Sequence, residues 1–473
     1  MKNFKVREFF LVAIAALAAV IAFSAFAAAG PERAAESLSL AVQYQTISFQ
    51  DPAQVDRSRF LAFHEFLAKR YPLVHQRLKK EVVNGLSLLY TWEGSDPKAR
   101  PIILCAHIDV VPIAPGTLAD WTNPPFAGKI ADGFIWGRGT MDDKGSLIAI
   151  LEAFESLLAE GYQPRRTVYL ASGQDEEVGG EQGAVKIAEL LASRGVKAEY
   201  VLDEGGMVLD GKILGITKPL AAVGIAEKGY LSVELKVKTE GGHSSMPPAH
   251  TAIGILAAAI VRLEDHPFPA RLTGVPEKTF VALKPELPGY MRFAISSQHL
   301  LGGVIKKMLA KINATNAMIR TTTAATIIEA GTKENVLPQE ARAVVNFRLL
   351  PGDSVDKVLA RIKQVIADPR VSVKPLGTPQ EASAITDVNS EGYRIVKRAL
   401  GDLFPDAVVT PFLVLGGTDS RFYSDVSDCI LRFMPMRVNE EDEKRAHGTN
   451  ERVSVDNYQE MVKFYAQVIR NSE

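Results

Sequence analysis

Cysteine is nearly missing from this chain. Among 473 residues only Cys105 and Cys429 occur, and no Cys-x-x-Cys pair exists. Thiolate metal sites and a disulfide-stapled scaffold are therefore excluded. Each cysteine sits in an apolar, strand-like stretch, so one disulfide in an oxidising compartment and two buried free thiols both fit. A dominant charge sign is missing too. Lys and Arg number 54 against 55 Asp and Glu. Nothing in that balance favours nucleic acid or an acidic partner. No internal repeat or low-complexity tract interrupts the chain. Long apolar runs are absent except at the start. There Lys2, Lys5 and Arg7 precede residues 9–29, whose sole polar residue is Ser24. Basic flank, apolar run and small residues describe a secretory signal, with Ala25-Phe26-Ala27 as a cleavage site. The run is also long enough for an uncleaved anchor, basic end inside. Both readings put the body outside the cytoplasm, in the periplasm or membrane-anchored facing outward.

What remains is an ordinary globular composition, 47% apolar and 23% charged, with length for two or three domains. Residues 54–70 show helical spacing, and 86–92 read as a strand. PIILCAHID (101–109) reads as a buried strand ending in His-x-Asp. Alternation puts His107 and Asp109 on one side of it. A helix is expected at 145–160, a strand at 167–172, a helix at 185–194 and a strand at 199–206. Strands alternating with helices imply a parallel α/β sheet with functional groups at the strand ends. After Pro219 the pattern changes. Residues 224–238 alternate with period two, a turn at 241–248 and a helix at 249–264 follow, and 266–320 are irregular to helical. Strands at 321–331 and 340–350 and a helix at 354–366 complete a small α+β segment. The α/β character returns at 408–417 and 429–435 and closes with a helix at 455–470.

Acidic and histidine motifs recur at these strand ends. Asp142 lies in GRGTMDDKGS, Glu176 and Glu177 in GQDEEVGG, Asp203 at the end of VLDEGG, and His447 in RAHGTNE. Two histidines and three or more carboxylates can hold two divalent cations bridged by one carboxylate. Such a pair lowers the pKa of a water and polarises a carbonyl. A further free carboxylate would serve as general base, and adjacent Glu176 and Glu177 can divide the two tasks. Taken singly, each acidic pair also suits a solvated turn or a helix N-terminus.

The ordered set His-x-Asp, Gly-Arg-Gly-x-x-Asp-x-Lys-Gly, Asp-Glu-Glu, Asp-Glu-Gly, Gly-Gly-His-Ser-Ser and a late His resembles the M20 family of metallopeptidases. WGRGTMDDKGS, SGQDEEVGG and GGHSSMPP look most like its carboxypeptidase S and N-fatty-acyl-amino-acid synthase/hydrolase branch. The resemblance implies two zinc ions, with cobalt or manganese as substitutes. Asp142 would bridge them, His107 and Asp203 would complete one, and Glu177 and His447 the other. Asp109 would orient His107, and Glu176 would be the general base. A cis peptide is implied after Asp142. His243 would reach an active site from an inserted domain to stabilise an oxyanion. Asn335, Arg348, Gly417 and Arg421 would line the substrate site, the two arginines being candidates for a substrate carboxylate.

The expected fold is therefore α/β: a zinc-peptidase-like catalytic domain with a mainly parallel central sheet, plus an inserted α+β lid of the kind that dimerises. The leader spans 1–29, the catalytic domain 30–220 and 381–473, and the lid 221–380. The expected activity is cleavage of the amide next to a C-terminal free amino acid in short peptides. The alternative is an N-acyl amino acid hydrolase or synthase, for which Leu283, Leu287, Tyr290, Met291 and Phe293 would suit an acyl chain. A non-catalytic peptide-binding relative and a two-metal phosphoesterase are the distant readings. Membrane attachment through 9–29 and a homodimer through the lid are the expected associations.

Overall fold

The computed structural model describes residues 31–473, so the leader expected at 1–29 lies outside the described residues. Among these, no helix is long and apolar enough to cross a membrane. The chain divides into two compact units. One holds the described residues up to Leu191 together with Pro435–Glu473; the other is Ala192–Met434.

In the first unit, strands Lys79–Val83, Ser87–Trp92, Val168–Ser172 and Ile102–Cys105 lie side by side in that order. The first two pairings are antiparallel and the last is parallel. Ser87–Trp92 and Ile102–Cys105 are buried at every position, as strands covered on both faces are. Helix Lys144–Ala159 is buried along almost its whole length. It packs against the closing helix Val455–Asn471 and helix Pro31–Ala41. Leu151 and Phe154 of that helix are fully buried, each stabilising the fold by about 1.5–3 kcal/mol. Trp92 meets Phe154 edge-on at 5.4 Å. The strand expected at 101–109 ends at Cys105. Beyond it the amides of Ala106 and Ile108 still donate to Ala171 and Gly173, at 3.1 and 2.9 Å. The chain therefore keeps its alternation, and His107 and Asp109 stay together.

In the second unit, Tyr200–Asp203 runs parallel to Ile430–Arg432, and Leu220–Glu227 parallel to Val408–Val414. Val208–Leu209 adds an antiparallel pair, so the central sheet is mixed, with parallel pairs where the acidic strand ends lie. A separate antiparallel sheet has the order Thr322–Ala330, Glu340–Leu349, Gly229–Lys238, Val371–Gln380. Helices Ala252–Asp265 and Val355–Ile366 pack on it around Leu235, Leu256, Phe347 and Ile362. The alternating stretch read as one strand at 224–238 is two strands, broken at Lys228. Leu220–Glu227 joins the mixed sheet and only Gly229–Lys238 joins the lid-like one. Residues 266–320 form four helices, Val275–Leu283, Gly289–Ser296, Gln298–Leu309 and Asn313–Ile319. Leu283 and Leu287, with Met291 against them, pack on Ile216, Leu220 and Val408. These three therefore fill a core; Tyr290 and Phe293 are exposed. Both cysteines are buried free thiols.

Candidate metal centre

In the first unit the loops after strands Ile102–Cys105, Phe134–Trp136 and Val168–Ser172, with the segment before Arg452–Ser454, bring six of the expected residues together. His107 is 2% exposed, and its Nε2 lies 2.9 Å from Asp142 Oδ1. The other oxygen of the same carboxylate, Oδ2, lies 2.9 Å from His447 Nε2. His447 Nε2 is also 3.0 Å from Glu177 Oε2. One carboxylate thus faces a different imidazole with each oxygen, the arrangement a bridging ligand needs. Donor atoms of His107, Asp142 and Glu177 all lie within 4.8 Å of one another, and a Glu176 oxygen lies within 4.8 Å of a His107 ring nitrogen.

These donors suit divalent cations. Glu177 Oε1 is buried without a hydrogen-bond partner, a costly state that a metal would relieve. Burial acts to raise the Asp142 carboxyl, but hydrogen bonds and charge from His107 and His447 hold it well below the usual carboxylate range. Burial raises Glu177, and the charge of Asp142 adds to this. Hydrogen bonds to Asp142 and then Glu177 push His447 up to about 10. Protons here occupy the lone pairs that a metal would take.

Asp109 organises the centre from behind. It is fully buried, and its Oδ1 lies 3.3 Å from His107 Nδ1. The same ring nitrogen is 3.1 Å from the Asp109 carbonyl oxygen. The two carboxylate oxygens accept the amides of Glu176 and Glu177, each at 3.2 Å. One side chain therefore fixes the His107 ring and the turn that presents both glutamates. That turn closes through Gly179 and Gly180, whose positive φ angles of 115° and 74° a side chain would strain. The Asp142–Asp143 peptide is cis.

A buried pair that sequence reasoning passed over holds the remaining loops. Glu451 Oε1 accepts the amides of Gly139 and Met141 at 2.9 and 2.8 Å. Its Oε2 accepts from Arg138 at 2.6 Å. The same guanidinium donates to the carbonyls of His447 and Gly448 at 3.2 and 3.0 Å. His447 has φ 59°, a conformation rare for a non-glycine residue, and Arg138 clasps it there. Both residues stood in quoted motifs, GRGTMDD and HGTNE. A charge inside a glycine-rich loop was the signal available.

The other expected residues belong to the second unit. Asp203 Oδ2 accepts the Ser420 amide at 2.7 Å. Ser420 and Thr418 share a 2.6 Å hydroxyl contact, Thr418 bonds Glu227, and Glu227 pairs with fully buried Arg432 at 3.1 Å. This chain of polar groups sets the 416–421 loop. Arg348 stacks on Tyr230 at 4.7 Å. Burial lowers its pKa and the nearby positive charge of Arg421 lowers it further. Two guanidinium groups gathered in one place suit an anion. Gly417 lies beside them, and a Cβ there would stand 2.4 Å from an Arg421 nitrogen and displace that guanidinium. His243 and Asn335 are brought together by the short pairing of Gly242–His243 with Val336–Leu337. The His243 ring is exposed, and its Nδ1 is bonded by Ser245.

The sequence profile of Peptidase family M20/M25/M40 matches residues 103–471. The chain is 41% identical over 444 residues to "Probable carboxypeptidase S-like 2" of Dictyostelium discoideum, covering 93% of this chain and 85% of that one. It is 42% identical over 450 residues to the "N-fatty-acyl-amino acid synthase/hydrolase PM20D1.1" of Danio rerio, covering 93% and 86%. A solved M20 family metallo-carboxypeptidase from Sulfolobus solfataricus superposes with a TM-score of 0.67 at 21% identity, covering 92% of this chain and 98% of that one.

Proposed function

The chain belongs to Peptidase family M20/M25/M40, and we propose that it is a two-metal amidohydrolase acting as a carboxypeptidase on short peptides. The observation that carries this is Asp142, whose two oxygens each face one imidazole at 2.9 Å. His107, Asp142, Glu177 and His447, joined by Asp203, would hold two zinc ions, with cobalt or manganese as substitutes. Bound there, the ions would supply a water of lowered pKa and a polarised carbonyl.

The chain's own groups do the rest. Glu176, beside His107, takes a proton from the attacking water and delivers it to the leaving amine. Asp109 keeps His107 in the tautomer with Nε2 free for a ligand, since Nδ1 donates to Asp109. Arg348 and Arg421 hold the free carboxylate of the residue to be released, which makes the enzyme an exopeptidase. His243, in the short pairing of Gly242–His243 with Val336–Leu337, and Asn335 beside it supply donors to the developing oxyanion and the substrate backbone.

A second reading shares all of these residues. The relative from Danio rerio is named for N-fatty-acyl amino acids, which also end in a free carboxylate beside an amide. A competition assay separates the two. The purified protein, loaded with zinc, receives a Gly-X dipeptide and an N-oleoyl amino acid at equal concentration, with products followed by mass spectrometry. Dipeptide cleavage with the acyl substrate untouched supports the carboxypeptidase; the reverse supports the acylase. Cleavage that survives a chelator would overturn the two-metal reading for both.

A further inference from the structure

We propose that the outer face of helices Gly289–Ser296 and Gln298–Leu309 seats the protein on an anionic lipid surface. These two helices pack against each other and are apolar on both sides. Their inner side has a core to fill. Met291 and Ile295 pack with Leu287 against Ile216 and Leu220, and Ile305 is buried. The outer side has none. Tyr290, Phe293, Leu300, Val304 and Met308 are 71, 67, 77, 56 and 52% exposed. Tyr290 and Phe293 are three apart, and Leu300, Val304 and Met308 are four apart, so each set forms one stripe. Large exposed apolar side chains gathered along two helices that pack together mark a contact surface, unlike apolar residues scattered singly.

Charge selects the occupant. Residues 287–328 contain no Asp or Glu, in a chain whose acids and bases balance overall at 55 and 54. Arg292, Lys307 and Lys311 are exposed beside the stripes. Apolar side chains bordered by cations are the pattern of a helix lying in a headgroup layer. Cations near an anionic leaflet each add attraction. A second copy of the chain would cover the apolar side chains, but a two-fold contact sets the same patch against itself, so it would bring two faces carrying these cations together. With 8 and 12 residues the helices are too short to span a bilayer, so they lie on it. This surface is independent of the apolar residues 9–29 and of which amide the enzyme cleaves.

The test is flotation of the purified protein, its N-terminus defined by mass spectrometry. One set of vesicles mixes phosphatidylcholine and phosphatidylglycerol; the other is phosphatidylcholine alone. Binding should be at least about tenfold tighter to the anionic set and should weaken with salt. The double variant Leu300→Glu, Met308→Glu should bind anionic vesicles at least about tenfold more weakly with an unchanged melting temperature. Tyr290→Trp, read with lipids carrying a quencher at shallow depth, reports on the patch itself, so an anchor elsewhere cannot mimic the result; quenching of the introduced indole on anionic vesicles is expected. Equal binding of parent and double variant, or no quenching of that indole, overturns the proposal. So does a stable dimer that the double variant converts to monomer without any lipid effect, because it identifies a second copy as the occupant.

Discussion

At the scale of single residues, Asp142 and Glu176 separate two demands that carboxylates can meet. Asp142 is held low by two imidazoles and serves as a permanent anion. The backbone amide of Glu176 is tied to Asp109, which fixes the turn that presents its carboxylate, the group proposed for proton transfer. Glu176→Gln should therefore lower kcat by roughly 10²–10⁴, the range for a general acid–base group. Metal content, measured by elemental analysis, should stay at the wild-type value; a parallel loss of metal would make Glu176 a ligand instead. The arginine pair makes a different claim, about binding. Arg348→Ala or Arg421→Ala should lower kcat/KM on substrates with a free terminal carboxylate by about tenfold to a hundredfold, since a hydrogen bond to a charged group contributes about 1.5–3 kcal/mol. Arg348→Lys should not restore it, because an ammonium cannot form the two parallel bonds of a guanidinium. The ratio of rates on a peptide acid and its amide is the measurement. An unchanged ratio would remove both arginines from the carboxylate site.

At the scale of elements, the working parts are loops held by buried ion pairs, and these were the least legible parts of the sequence. Buried strands and amphipathic helices announce themselves by period, so Ser87–Trp92, Lys144–Ala159 and Val455–Asn471 emerge close to the expected places. Metal-ligand motifs announce themselves by residue type. Arg138–Glu451 and Glu227–Arg432 do neither, since in sequence each is one charge among many. Strand Val371–Gln380 was missed because Pro375, Gly377 and Pro379 read as loop; it lies at the edge of its sheet, where proline is tolerated. The break between Leu220–Glu227 and Gly229–Lys238 was hidden because alternation runs through it. Lys228 at that break is buried, and its Nζ donates to the carbonyls of Ala317 and Arg320. Burial, and then the charge of Arg348, lower its pKa to about 7 from 10.5. The unfolded chain thus binds more protons between those values, so this group makes stability rise with pH from about 7 towards 10.5. Replacing Lys228 by Met should flatten that rise, by on the order of a few kcal/mol. Urea unfolding at pH 7 and pH 9.5 measures it: the gain at high pH should be larger in wild type than in the variant. Equal gains would mean that Lys228 stays charged in the folded protein.

At the scale of the whole molecule, the chain returns to its first unit at the very end: Pro435–Glu473 lies with the residues before Leu191. His447 and Glu451 then meet Asp142 and Arg138 across more than three hundred residues of sequence. That closure could not be read from local pattern, because only tertiary structure places the last motif beside the second. It makes the metal a structural partner as well as a reagent. An ion held by Asp142 and His447 binds the folded chain and finds no preformed site in the unfolded one. Each such ion stabilises the fold by about 2.7 kcal/mol at a free concentration one hundredfold above its Kd. Chelation should accordingly lower the melting temperature by several degrees, since 1 kcal/mol corresponds to about 2–4 °C in a folding unit of 150–250 residues. His447→Ala should bind less metal and show a smaller melting shift on chelation than wild type. Glu176→Gln, inactive but with its ligands intact, should show the full shift. Scanning calorimetry of the three proteins with and without chelator gives the comparison. A His447→Ala variant that melts with the full wild-type shift would place the stabilising ion elsewhere, and the Arg138–Glu451 pair alone would then account for the closure of the chain.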